Sequence, residues 1–82
     1  MATHKFESST MIKEIRYHDD STTMYVQFHN DKVYRYPKVD KYTYIVFTTA
    51  ESAGSFFNRE IKNRYPSTRL PKGFPKATQE TE

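Results

Sequence analysis

Thr23-Met24-Tyr25-Val26-Gln27-Phe28-His29-Asn30-Asp31-Lys32-Val33-Tyr34-Arg35-Tyr36-Pro37 carries the clearest strand pattern in the chain. From Thr23 to His29 apolar and polar residues alternate with period two, the pattern of a half-buried strand. Asn30-Asp31 interrupts the pattern with turn chemistry, Lys32–Tyr36 resumes it, and Pro37, which has no N–H to give a ladder, closes it. Register follows from the same residues. A two-residue loop at Asn30-Asp31 sets Arg35 opposite Val26 and places a charge on the apolar face. A three-residue loop, Asn30-Asp31-Lys32, sets Phe28 opposite Tyr34 and Val26 opposite Tyr36, and one face stays apolar throughout. A slip of one residue would turn every side chain over, so the second register is expected. Tyr34 and Tyr36 then face a core, while Tyr25, Gln27, His29 and Arg35 face away.

Upstream, Met11–Tyr17 reads as a first strand and His18–Thr22 as a turn. Arg16 shares its outward phase with His18, opposite the core-facing Ile15 and Tyr17. Residues 1–8 are polar apart from Phe6 and are expected to form a flexible N-terminus. Downstream of Val39 the period changes. Asp40 can cap a helix in which Tyr44 and Phe47 recur, although Tyr42–Val46 also has high strand propensity, so these residues leave the segment open. Ser52 reads as the cap of a further helix whose stripe holds Phe57, Ile61 and Arg64 or Tyr65, and Pro66 stops it. Pro71, Gly73 and Pro75 make residues 66–82 a flexible tail carrying Arg69, Lys72 and Lys76. The expected fold is α+β: a three-stranded antiparallel β-meander followed by two helices packed on one face, with a disordered C-terminal tail. Its expected core is Ile15, Tyr17, Val26, Phe28, Tyr34, Tyr36, Tyr44, Phe47, Phe57 and Ile61.

Composition bounds what such a chain can do. Eighty-two residues allow one domain, and without the tail the folded part is about 60 residues, too few to enclose a pocket between two domains. Leu70 is the only leucine, so six phenylalanines and seven tyrosines supply the apolar area instead. Absence of cysteine excludes disulfides and thiolate metal sites. No apolar stretch has the length of a signal peptide or a membrane span, and the chain is read as soluble and cytoplasmic. A net charge of +3 permits nucleic-acid binding without requiring it.

Chemistry-bearing groups are sparse. His18 adjoins Asp19-Asp20, and His29 and Asp31 flank the hairpin loop, but each is explained as turn chemistry or exposed polar surface. With two glycines there is no phosphate-cradling loop, and no nucleophile sits at an elbow. We therefore expect no catalytic residue, metal or cofactor. The amides around Ser52–Ser55 offer a weak anion site. Two groups suit a nucleic acid better. Arg16, Tyr25, Gln27 and Arg35 share the outward sheet face, where a base can stack. Arg59, Lys62 and Arg64 on the second helix can reach phosphates. Asn58 is read as a bridge to backbone groups near the helix joint. Tyr34-Arg35-Tyr36 has two readings, a stacking platform or a core pair, of which the register favours the core pair.

The ordered series Ser9, Tyr17, Met24, Val26, Phe28, Tyr34-Arg35-Tyr36, Val39, Tyr44, Ala50, Ser52, Gly54, Phe56-Phe57-Asn58, Ile61 and Tyr65 resembles the KTSC domain, a short unit also found at the C-terminus of some lysyl-tRNA synthetases and as stand-alone copies in bacteria and phages. The resemblance covers residues 9–65. It implies an antiparallel sheet on a helical pair, and so a helical Tyr42–Val46. This chain departs from the family's usual Pro at Asp40, its Lys or Arg at Ala53, and its Gly-containing turn at Asn30-Asp31. The neutral Ala53 weakens any anion site at that joint. The synthetase association implies a non-catalytic RNA-binding or other nucleic-acid-binding module. The alternative partner is a host protein on which the domain docks as a small adaptor. Either way a monomer or a weak dimer is expected, the dimer through the edge of the third strand.

Overall fold

The structure is a computed structural model and describes residues 2–75. Five strands form one antiparallel sheet in sequence order: β1 (Ala2–Lys5), β2 (Ile12–His18), β3 (Thr23–Phe28), β4 (Val33–Tyr36) and β5 (Thr68–Leu70). Helices α1 (Lys41–Thr49) and α2 (Ala53–Phe56) follow β4, and α2 continues as a π-helical turn, Phe57–Ile61. The α+β class and the helical pair match the sequence reading, but the sheet has five strands where three were expected. Both additions lie at the ends of the chain. β1 pairs with β2 in the segment expected to be flexible, and β5 pairs with β4 in the segment assigned to the tail. The edges of the sheet are therefore β1 and β5, not the third strand. Residues 76–82, Lys76 among them, lie outside the described residues.

The β3–β4 loop has three residues, but they are His29, Asn30 and Asp31. Val26 pairs with Tyr34 and Met24 with Tyr36, a register two residues away from the expected one. A slip of two preserves every facing, which is why the assignment of faces agrees although the partners differ. Asp31 explains the shift. It adopts φ 70°, the left-handed residue that closes a three-residue hairpin loop, and its amide donates to the Phe28 carbonyl at 2.8 Å. Asn30 Oδ1 accepts from the Lys32 amide at 3.0 Å.

A bulge between Ile12 and Glu14 is the second departure from simple alternation. Residues three apart on a regular strand face opposite ways, yet Ile12 and Ile15 are both fully buried in the core. The bulge turns Lys13 out of the count and re-aims Ile12 inward.

One core lies between the sheet and the helices. Ile15, Tyr17, Val26, Tyr36, Tyr44, Phe47, Phe57 and Ile61 are buried in it with Ile12, Met24, Val39, Ala53 and Phe56, while Phe28 and Tyr34 are half-buried at its rim. Aromatic contacts link it: Tyr17 stacks on Tyr44 (centroids 5.0 Å apart), and Phe57 meets both Phe28 (5.2 Å) and Tyr36 (5.9 Å) edge to face. The Tyr17 hydroxyl donates to the Val39 carbonyl at 2.6 Å, tying β2 to the entry of α1. Asp40 caps that helix by accepting from the Thr43 amide and hydroxyl. In the π turn, the Lys62 amide donates to the Phe57 carbonyl at 2.9 Å, five residues back. This wider turn lets the adjacent Phe56 and Phe57 both reach the core, Phe56 against Phe47 and Phe57 against Tyr36.

Candidate nucleic-acid interface

The sheet's outer face is organised in cross-strand rows. Arg16 is the partner of Tyr25, and Tyr25 of Arg35, so three of the sequence-selected residues fall in one line on adjacent strands. Thr3 and Thr68 extend the line to both edges. Strand spacing sets the three side chains about 5 Å apart, close enough for a phenol ring to sit between two guanidinium groups. Gln27, the fourth selected residue, belongs to the next row with Glu14, Val33 and Leu70.

This face is partly covered. Arg16 Nε donates to Glu14 Oε2 at 2.7 Å, and both side chains are largely shielded from solvent. The Arg16 guanidinium also lies over the Phe74 ring, 3.8 Å from its centroid. Phe74 follows β5 through a turn in which the Gly73 amide donates to the Leu70 carbonyl at 3.0 Å, with Gly73 at φ 84°, a conformation that favours glycine. β5 and β2 are three strand spacings apart, roughly 14 Å, so this turn and the long Arg16 side chain meet above the middle of the sheet. The cover explains why outward-facing Val33 and Glu14 are buried. Residues 71–75 thus form a strap over the face that the sequence reading left open. Arg35 is half-buried and has no ion-pair partner among the described residues. His18, on the same face, has a buried Nδ1 without a hydrogen-bond partner among them.

The helix group lies elsewhere. The helices pack on the inner face, so Arg59, Lys62 and Arg64 are on the opposite side of the sheet from Arg16, Tyr25 and Arg35. No single surface unites the two groups. Within the helix group, Glu60 pairs with Arg59 (3.5 Å) and Arg64 (3.6 Å), leaving Lys62 as the cation without a carboxylate partner among the described residues. At the Ser52–Ser55 joint the Ser55 amide is used internally, donating to Ser52 Oγ at 3.2 Å, and the next amide, that of Phe56, donates to the Ser52 carbonyl at 3.0 Å. The remaining polar candidates hold turns. The His29 ring hydrogen-bonds the Ser9 carbonyl at 2.8 Å, and Asp31 pairs with Lys13 at 3.1 Å. Among the described residues no three His, Asp or Glu side chains gather as a metal centre, and no helix is long and apolar enough to cross a membrane.

Residues 8–65 match the KTSC domain family. The chain belongs to that family. A crystal structure of a KTSC domain protein from Yersinia pestis is similar to it, at 28% sequence identity and a TM-score of 0.76, covering 84% of this chain and 99% of that one. No curated protein matches the chain. The KTSC match leaves out β1, β5 and the strap, and the sequence reading missed all three. A signal for the strap was nevertheless present. Leu70 and Phe74 are the large apolar residues of an otherwise polar and turn-rich end, and both lie on the outer face.

Proposed function

We propose that this KTSC domain is a non-catalytic module that binds nucleic acid, RNA foremost, across the outer face of its sheet. The observation that carries the reading is the Arg16–Tyr25–Arg35 row, with an aromatic ring already resting on one of its arginines. A guanidinium that accepts the face of Phe74 accepts the face of a base by the same interaction, and Tyr25 offers a second stacking surface beside it. Arg35, without a carboxylate partner among the described residues, supplies charge for a phosphate. In this reading Phe74 stands where a base would, and a single strand competes with the strap.

Fluorescence anisotropy with a labelled twelve-nucleotide single-stranded RNA tests it. Tyr25→Ala should weaken binding by about 1–3 kcal/mol, the usual worth of one stacked base. Arg35→Ala should weaken it and flatten its dependence on salt. Wild-type binding that neither substitution alters would remove the outer face from consideration.

One observation favours a second reading, a protein-docking adaptor. Tyr42 and Ile45 on α1 are 74% and 47% exposed, on a helix whose only charged residue is Lys41. Tyr42 lines a groove with Val46, Phe56 and Tyr65, bordered by Glu60 and Arg64, an aromatic-centred surface with a charged rim of the kind that protein partners cover. Binding by this route would be insensitive to salt and to Arg35→Ala, and sensitive to Tyr42→Ala.

A further inference from the structure

On the other side of the sheet, the β3–β4 hairpin and the π turn enclose an open cleft of roughly 380 Å³. Four aromatic residues line it: Phe28, Tyr34, Tyr36 and Phe57. Phe28 meets Tyr34 edge to face at 5.7 Å and Phe57 at 5.2 Å, an arrangement that leaves ring surface unstacked toward the opening. Tyr34 is half-buried there, with its side chain toward the cleft rather than fully within the core. Lys32 and Lys62 line the same cleft from opposite elements, the hairpin and the end of the π turn. Arg69 on β5 is the cross-strand partner of Tyr34 and so lies on the same face beside it.

What sets these three cations apart is their position around an aromatic cleft that no carboxylate lines. Lys13, Arg16, Lys41, Arg59 and Arg64 each have a carboxylate partner. Lys32, Lys62 and Arg69 are exposed and have none among the described residues, and no carboxylate lines the cleft. Flat apolar walls select a planar ring, and lysines at the rim select an anion, with phosphate the group they hold most often as point charges.

We propose that this cleft binds a nucleotide-type ligand: a nucleobase against Phe28 and Tyr34, with its phosphate between Lys32 and Lys62. The site is separate from the outer-face row and does not depend on it. Residues of the Tyr34-x-Tyr36 pair then have distinct roles, Tyr36 buried in the core and Tyr34 at the ligand. Arg69 brings β5 into the site, so a segment outside the family match supplies part of its charge.

The test is a titration of the full ¹⁵N-labelled chain with adenosine 5′-monophosphate, followed by amide chemical shifts, with adenosine and inorganic phosphate as separate probes. Saturable shifts at Asn30, Lys32, Tyr34, Lys62 and Ser67 are expected, with affinity above that of either fragment. The double variant Lys32→Ala/Lys62→Ala changes two exposed residues and should keep its fold. It should bind the monophosphate at least about tenfold more weakly, as loss of charge-assisted hydrogen bonds implies. Phosphate binding as tightly as the monophosphate would overturn the proposal, because the rings would then contribute nothing. So would absence of saturable shifts, shifts confined to Arg16, Tyr25 and Arg35, or a double variant with unchanged affinity. Adenosine monophosphate probes this cleft and the RNA experiment probes the outer face, so either proposal can fail alone.

Discussion

Replacing Tyr17 with Phe removes one oxygen from a buried hydrogen bond between the sheet and the segment that leads into α1. The hydroxyl donates to the Val39 carbonyl at 2.6 Å, with Tyr17 1% and Val39 0% exposed. Ring packing on Tyr44 is unaffected by the change, so the loss is confined to the hydrogen bond and to the carbonyl it leaves unpaired. A net hydrogen bond contributes about 1 kcal/mol, and an unsatisfied buried acceptor costs about 1–3, so Tyr17→Phe should lower stability by about 2 kcal/mol. For a domain of this size each kcal/mol moves the melting temperature by roughly 4–8 °C, which predicts a fall of about 8–16 °C. Thermal and urea denaturation followed by circular dichroism measure both quantities. Tyr44→Phe is the control. Its ring stacks on Tyr17 in the same core, but its hydroxyl makes no hydrogen bond among the described residues, and its loss should change stability by less than about 0.5 kcal/mol. Equal effects from the two substitutions, or a Tyr17→Phe variant as stable as the wild type, would show that this hydrogen bond does not hold the fold together.

Other outcomes follow from the same contacts. Burial pushes the Tyr36 hydroxyl from 10.0 up to about 12, partly offset by a hydrogen bond to Ser67. The folded state therefore favours its protonated form. That contribution is complete below pH 10 and is lost as pH rises from about 10 to about 12; Tyr36→Phe should flatten the decline of stability measured across that window. Tyr17 and Tyr44, also raised by burial, add to the decline in the same direction. Glu14→Gln removes the carboxylate that Arg16 meets at 2.7 Å in a largely shielded pair and should cost about 1–3 kcal/mol in urea denaturation. Phe74→Ala uncovers Arg16 and should tighten RNA binding severalfold in the anisotropy assay, whereas unchanged affinity would mean that the strap and the RNA do not compete.

The parts of this fold that could be read from the sequence are those held by burial on one face. Thr23–His29 alternates because one side of β3 packs on the helices, and the facing of Tyr25, Val26, Tyr34 and Arg35 follows from that alone. Partner identity did not follow, because it depends on the left-handed Asp31, and Asn30, Asp31 and Lys32 are all acceptable loop residues. β5 is three residues long and owes its strand conformation to pairing with β4, not to propensity, so a turn-rich composition concealed it. The Lys13 bulge is invisible for a similar reason, since it shows only as two isoleucines spaced for opposite faces and buried on the same one.

The candidate surfaces divide in the same way. Strand phase placed Arg16, Tyr25 and Arg35 together. It could not reveal Phe74 on Arg16, a contact between residues far apart in the chain, or Arg69 beside Tyr34. Among the helix cations Arg64 was separable in principle, because Glu60 stands four residues before it, a spacing that favours pairing, whereas the contact of Glu60 with its neighbour Arg59 follows from no helical spacing.

Nucleic-acid binding by the outer face is tested by mapping single-stranded RNA on the ¹⁵N-labelled full chain. Shifts along Arg16, Tyr25 and Arg35, loss of the Phe74 contact, and binding that weakens steeply as salt rises are expected. Absence of RNA binding at low salt, or shifts confined to Tyr42, Ile45 and their groove, would contradict it.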